Sequence, residues 1–256
     1  MYLPFSQVSF VMYRFIVVLL ALFFFSTTFI TAQNIRVSYG NYRINNDTKK
    51  DTALTIMLAF YKDSVNKKMN NVLGFSTDGL TKKQPESGLG NFMTDAMRIM
   101  GENMFNKHID AAFINYGGIR SYLPKGDITV GKIFELMPFD NLIVLQNVKG
   151  DSLQSFLNNI AERNGWPISG ITFSIKDKKA INILVNGKPF DENNTYIIAN
   201  SDYIANGGDN VTMLKVFPQQ NKGYLLREAL IAYTQLLTDQ GQSIDSKPEK
   251  RIVYAR

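Results

Sequence analysis

The spacing of apolar residues changes part-way along this chain, and that change limits the folds open to it. Before Gly165-Trp166-Pro167, most long apolar stretches repeat at three and four residues; after Gly170 they alternate. Thr52 to Met69 carries Leu54, Met57, Leu58, Tyr61, Val65 and Met69 at helical spacing. Gly88 to Asn106 repeats the pattern with Leu89, Phe92, Met93, Ala96, Met97 and Met100, and its methionines at that spacing read as core. A further helix starts at Gly150-Asp151-Ser152 and runs through Leu153, Phe156, Leu157 and Ile160. Ile171 to Ile175 and Ile181 to Val185 read instead as strands, the second closing on the hairpin pair Asn186-Gly187. Strands are also expected at Val72–Ser76, Asp110–Ile114, Leu142–Val148 and Thr195–Asn200, with short ones at Arg36–Tyr39 and Arg251–Tyr254. Thr129 is placed to cap a helix over Val130–Leu136, and a last helix is expected over Leu225–Leu237. Without a regular βαβ repeat, this mixture predicts an α+β fold of mixed sheets with packed helices.

The N-terminus reads differently. Phe15 to Ile30 is an apolar run preceded by Arg14 and followed by Thr31-Ala32, the charged, apolar and small-residue order of a secretory signal peptide. Met12 is an alternative start, and a retained membrane anchor is the alternative to cleavage before Gln33. The expected organisation is a signal peptide over 1–32, a polar segment over 33–51 and a folded domain over 52–256. Export to a periplasm, cell surface or exterior follows, with no membrane attachment after cleavage.

Two residue types exclude chemistry. The chain has no cysteine, so thiolate metal sites and cysteine nucleophiles are ruled out, and it has a single histidine, His108, read as a surface or capping residue. The formal charge of +6 is scattered over isolated pairs such as Lys49-Lys50 and Lys178-Lys179. That distribution argues against nucleic acid and suits a small anionic ligand.

Three polar turns beside expected strands hold the candidate site: Asn115-Tyr116-Gly117-Gly118-Ile119-Arg120, Pro138-Phe139-Asp140-Asn141, and Tyr203-Ile204-Ala205-Asn206-Gly207-Gly208-Asp209. Glycine lets backbone N–H groups approach a ligand closely. Phe139 and Tyr203, aromatics on turns, suit a flat base, for which stacking is worth about 1–3 kcal/mol. Arg120 offers a planar fork to a phosphate, Asp209 two acceptors to a ribose diol, and Asn115 both a donor and an acceptor.

In this order and at these spacings, GNFMTDAM (Gly90 to Met97), NYGGIRS (Asn115 to Ser121), GDIT (Gly126 to Thr129), PFDN (Pro138 to Asn141) and YIANGGD (Tyr203 to Asp209) resemble the C-terminal domain of the 5'-nucleotidase / UDP-sugar hydrolase family. The resemblance covers about Thr52 to Tyr254 and implies a substrate-binding domain of that fold. It implies that Phe139 and Tyr203 are the stacking pair, Tyr203 standing where phenylalanine is usual. It also implies that Asn115 touches the base side, Arg120 the phosphate end and Asp209 the ribose. The candidate set is therefore Asn115, Gly117, Gly118, Arg120, Phe139, Asn141, Tyr203, Asn206, Gly207 and Asp209. Lys83, or alternatively Lys82, falls where the family uses a phosphate-binding arginine.

The family's catalytic centre lies in a separate metallophosphoesterase domain whose two metals need several histidines, and one histidine cannot supply them. The resemblance thus implies no cofactor in this chain, and divalent metal ions on a separately encoded metallophosphoesterase partner. The expectation is the substrate-recognition half of a split, exported 5'-nucleotidase-type hydrolase in nucleotide catabolism, inactive alone. Its ligand would be a nucleoside or nucleoside 5'-phosphate. A non-catalytic nucleotide-binding scavenging protein and a degenerate interaction-only domain remain the alternatives.

Overall fold

The structure, a computed structural model, describes residues 12–21, 36–45 and 48–255. The chain divides into two units, Met1–Asp51 and Thr52–Arg256. In the first, residues 12–21 are helical with exposed side chains, and residues 36–45 have no regular secondary structure. The strand expected at Arg36–Tyr39 is therefore not formed. Val37 and Tyr39 are both exposed, and alternation without a buried face does not hold a strand. The signal-peptide reading falls largely on residues outside those described. Among the described residues, no helix is long and apolar enough to cross a membrane.

Counted from Thr52, the second unit runs α1 (Thr52–Met69), β1 (Val72–Ser76), α2 (Gly88–Phe105), β2 (Ala111–Phe113), β3 (Gly126–Thr129), α3 (Val130–Leu136), β4 (Leu142–Lys149) and α4 (Gly150–Glu162). It continues through β5 (Ile168–Ser169), β6 (Ile171–Lys176), β7 (Lys179–Val185), β8 (Lys188–Pro189), β9 (Thr195–Ser201), α5 (Asp202–Ala205), β10 (Gln220–Leu225), α6 (Leu226–Asp239) and β11 (Ile252–Tyr254). The chain is α+β with mixed sheets, as its patterning predicts.

A five-stranded sheet, ordered β10-β4-β9-β2-β5, forms the middle layer. β2 and β9 are parallel and the other pairs antiparallel. Successive side chains of a strand point to opposite faces, and β2 shows the consequence. Ala112 and Ile114 face a core shared with α2, α3 and α6; Ala111 and Phe113 face a second core shared with α4, β6 and β7. In that second core Phe156 meets Phe113 and Trp166 edge-to-face, with ring centroids 5.0 and 6.0 Å apart. Burying each such ring stabilises the fold by roughly 1.5–3 kcal/mol. The sheet β11-β6-β7-β8 forms the outer wall of this core. Thr129 caps its helix as expected, and Ser87 caps another. Ser87 Oγ accepts from the Gly90 N–H at 3.1 Å, and Thr129 Oγ1 accepts from the Lys132 N–H at 3.3 Å.

Other features also depart from expectation. Helix α1 forms over the expected residues, yet none of them is buried. Only Met69, at its C-terminal end, packs against the core. The strands β3 and β10 were not legible, because Gly126-Asp127-Ile128-Thr129 and Gln220 to Leu225 carry no apolar alternation. Both are held by neighbours instead, β3 by β1 and β10 by β4.

Candidate ligand-binding site

The strand directions decide where the three polar turns go. β2 and β9 run parallel, so both deliver their C-terminal ends to one edge of the sheet. β4 is antiparallel to β9 with Ile143 opposite Ser201, so the start of β4 reaches the same edge. Asn115 follows β2, Tyr203 follows β9, and Phe139 to Asn141 precede β4. Three segments distant in sequence thus converge. Ligands in open sheets commonly bind at such an edge.

There the turns enclose a cavity of about 370 Å³ lined by Asn115, Gly117, Gly118, Arg120, Phe139, Asn141, Tyr203 and Asp209. That volume lies in the usual range for small-molecule sites. Phe139 and Tyr203 are 39% and 46% exposed, while Asn115 is 7% exposed. The large aromatic surfaces therefore remain available, and the polar group at the base is fixed. Arg120 lies with its guanidinium carbon 5.7 Å from the Phe139 ring centroid, a cation–π arrangement that places positive charge beside the aromatic wall.

The floor is a closed set of hydrogen bonds. Asn115 Nδ2 donates to Asp209 Oδ2 at 2.8 Å, and the Tyr203 hydroxyl donates to Asp209 Oδ1 at 3.1 Å. The Asp209 N–H donates back to the Tyr203 hydroxyl at 3.3 Å, and Arg163 Nη2 donates to the Asp209 carbonyl at 2.7 Å. Asp209 has left-handed backbone, φ 52° and ψ 31°, an uncommon conformation for a residue with a side chain. Two glycines are required by close approach. A Cβ on Gly118 would come within 2.7 Å of Asn115 Oδ1, and one on Gly208 within 2.4 Å of the Tyr203 ring.

Not every candidate reaches the cavity. Asn206 and Gly207 belong to the Tyr203–Asp209 turn but do not line it, and Asn206 Oδ1 accepts from Gln219 Nε2 at 3.0 Å. Lys83 is exposed and also lies outside the lining. Its neighbour Lys82 approaches the glycine turn instead. Lys82 Nζ donates to the Ile119 carbonyl at 2.8 Å and sits 4.6 Å from the Tyr116 ring centroid. His108 is exposed and lies 3.0 Å from Glu102 Oε1. Among the described residues, no three His, Cys, Asp or Glu side chains group so as to hold a metal ion.

Two arginines that support the site carry no motif. Arg163 holds the Asp209 turn. Arg227, largely buried in the first turn of α6, donates to the Phe139 carbonyl at 3.0 Å and to Asp140 Oδ1 at 2.7 Å, with its guanidinium carbon 4.3 Å from the Phe134 ring centroid. One signal pointed to it: a cation in the first turn opposes the helix dipole and needs a partner elsewhere.

Fold and cavity together define a mixed-sheet domain with a cavity of small-molecule size between turns at a sheet edge. Residues 45–216 match the family model for the 5'-nucleotidase, C-terminal domain, and the chain belongs to this family. It is 26% identical over 231 residues to the trifunctional nucleotide phosphoesterase protein YfkN of Bacillus subtilis, covering 82% of this chain and 16% of that protein. It is 30% identical over 143 residues to the protein UshA of Escherichia coli, covering 54% and 26%. The crystal structure of a 5'-nucleotidase precursor from Thermus thermophilus superposes with a TM-score of 0.69 at 27% identity, covering 80% of this chain and 43% of that one. The chain thus spans less than half the length of these relatives.

Proposed function

We propose that this chain is the nucleotide-recognition half of an exported 5'-nucleotidase-type hydrolase, whose metal-dependent phosphoesterase centre lies on a separate polypeptide. The observation that carries the reading is the cavity itself. Two exposed aromatic rings, a guanidinium and a carboxylate from three distant turns line one space of nucleoside size. Each suits a different part of a nucleotide: Phe139 and Tyr203 the base, Asp209 the sugar hydroxyls, Arg120 the phosphate. The names of the relatives, a nucleotide phosphoesterase and a 5'-nucleotidase precursor, support the same ligand class. The chain's single histidine supports placing the dimetal chemistry elsewhere.

In this arrangement the chain binds and orients. The aromatics hold the base with Asn115 on its side, Asp209, held by Asn115, takes the sugar hydroxyls, and Arg120 steadies the phosphate toward the partner's metals. Calorimetry with AMP and adenosine tests binding. Phe139→Ala and Tyr203→Ala should each weaken it by about 1–3 kcal/mol. A hydrolysis assay of the purified chain with Mn²⁺, Zn²⁺ or Mg²⁺ tests the division of labour. No turnover alone, and turnover on adding a co-purifying metallophosphoesterase, are expected. Hydrolysis of AMP by the chain alone at rates typical of whole enzymes would overturn it. Tight binding with no such partner would mark a scavenging protein instead.

A further inference from the structure

We infer that the Tyr203 hydroxyl is a positioning group for Asp209, and that it sets selectivity for a ligand with a vicinal diol over one without. The inference rests on the nucleotide reading above and assigns the sugar preference of that same site. Three observations carry it. The Tyr203 hydroxyl contacts Asp209 twice, donating to Oδ1 at 3.1 Å and accepting from the backbone N–H at 3.3 Å. Asn115 holds the other carboxylate oxygen at 2.8 Å. Gly208 lies so close to the Tyr203 ring that a single Cβ would fall 2.4 Å from it, so the ring that carries the hydroxyl packs directly on the turn that carries Asp209.

The consequence follows from counting acceptors. A carboxylate has about four lone-pair positions on two oxygens. Tyr203 and Asn115 each use one on a different oxygen, which leaves one per oxygen on a group that lines the cavity. Two adjacent acceptors with fixed direction match the two O–H donors of a cis-diol. Without the hydroxyl, one side of the carboxylate has no partner, and the Asp209 N–H loses its acceptor at a strained backbone position. Tyr203 therefore has two separable duties. Its ring face serves any base, and its hydroxyl serves only ligands that use Asp209.

The test measures dissociation constants of adenosine and 2',3'-dideoxyadenosine for the wild type and Tyr203→Phe, which keeps the ring and deletes one oxygen. Tyr203→Phe should lose roughly three- to tenfold affinity for adenosine and change the dideoxy compound by less than about twofold. Adding Tyr203→Phe to Asp209→Ala should cost adenosine little further, because the carboxylate that the hydroxyl positions is gone and only its contact with the backbone N–H remains. Equal loss for both ligands, no loss, or a gain for adenosine would overturn the inference and leave the nucleotide reading standing. A wild type that binds neither nucleosides nor AMP would overturn both.

Discussion

At the scale of single residues, the site depends on atoms that are absent as much as on those present. Gly208→Ala should push the Tyr203 ring off its position and weaken nucleoside binding by about tenfold or more, with little loss of melting temperature, since the turn is at the surface. Gly118→Ala should act on Asn115 in the same way, and calorimetry of both variants checks the pair. Most of the cavity lining was legible at this scale. Eight of the candidate residues line the cavity because the turns that carry them sit beside strands that share an edge. Spacing left Lys83 and Lys82 as alternatives; neither lines the cavity, and the path of the loop turns Lys82 toward the Ile119 carbonyl while Lys83 stays exposed. Arg163 was not legible, since it acts through the Asp209 carbonyl and a carbonyl leaves no mark in sequence; Arg227 carried only the weak signal of a cation in a first helical turn.

At the scale of elements, Arg227 makes α6 part of the candidate site without lining the cavity. It bonds the Phe139 carbonyl and Asp140, and the Leu226 N–H donates to the Asn141 carbonyl at 2.9 Å, so the start of the helix holds the aromatic turn. Arg227→Met should keep much of the packing on Phe134 while freeing the turn. The expected result is about 1–3 kcal/mol lost from stability, with a rise in nucleoside dissociation constant as Phe139 gains freedom. Arg227→Lys should not restore it, because one ammonium cannot reproduce the fork. Chemical denaturation and calorimetry on the same variants check both. Elements with an apolar pattern were legible to within a few residues. Of those that were not, β3 and β10 are polar strands whose partners supply the pairing, and β5, β8 and α5 are only two to four residues long, too short to carry a period.

At the scale of the whole molecule, one polar junction ties remote parts of the chain. Arg251, just before β11, pairs with Asp95 on α2 at 2.7 Å and donates to the Ile168 carbonyl at 2.8 Å. Asp95 also accepts from Ser169 at 2.6 Å. Burial opposes the Arg251 charge, but the hydrogen bonds and charges of Asp95 and Glu249 outweigh it and hold the guanidinium pKa above its ordinary value. Asp95→Ala would leave that cation short of a partner and should cost on the order of 2–3 kcal/mol, read from denaturant midpoints. Nearby, burial and then the Asp95 charge raise the Tyr233 phenol above its ordinary value of 10.0. The folded state then holds that proton more tightly than the unfolded state. Its contribution to stability is complete below about pH 10 and falls as pH rises through the folded value. Tyr233→Phe should flatten the alkaline limb of a stability–pH curve.

Helix α1 has a consequence for how long the protein survives. It has 18 residues, about 27 Å of helix, with no buried side chain and its anchor at one end. A helix of that length is marginal in water without packing. Its amides should exchange with deuterium far ahead of those in α2 and β9, and a protease should cut there before it cuts the packed elements that follow. The fragment left should begin near Asn70 and still bind nucleoside, because every residue lining the cavity lies beyond the cut. The lifetime of α1 and the lifetime of the binding site would then be two separate clocks.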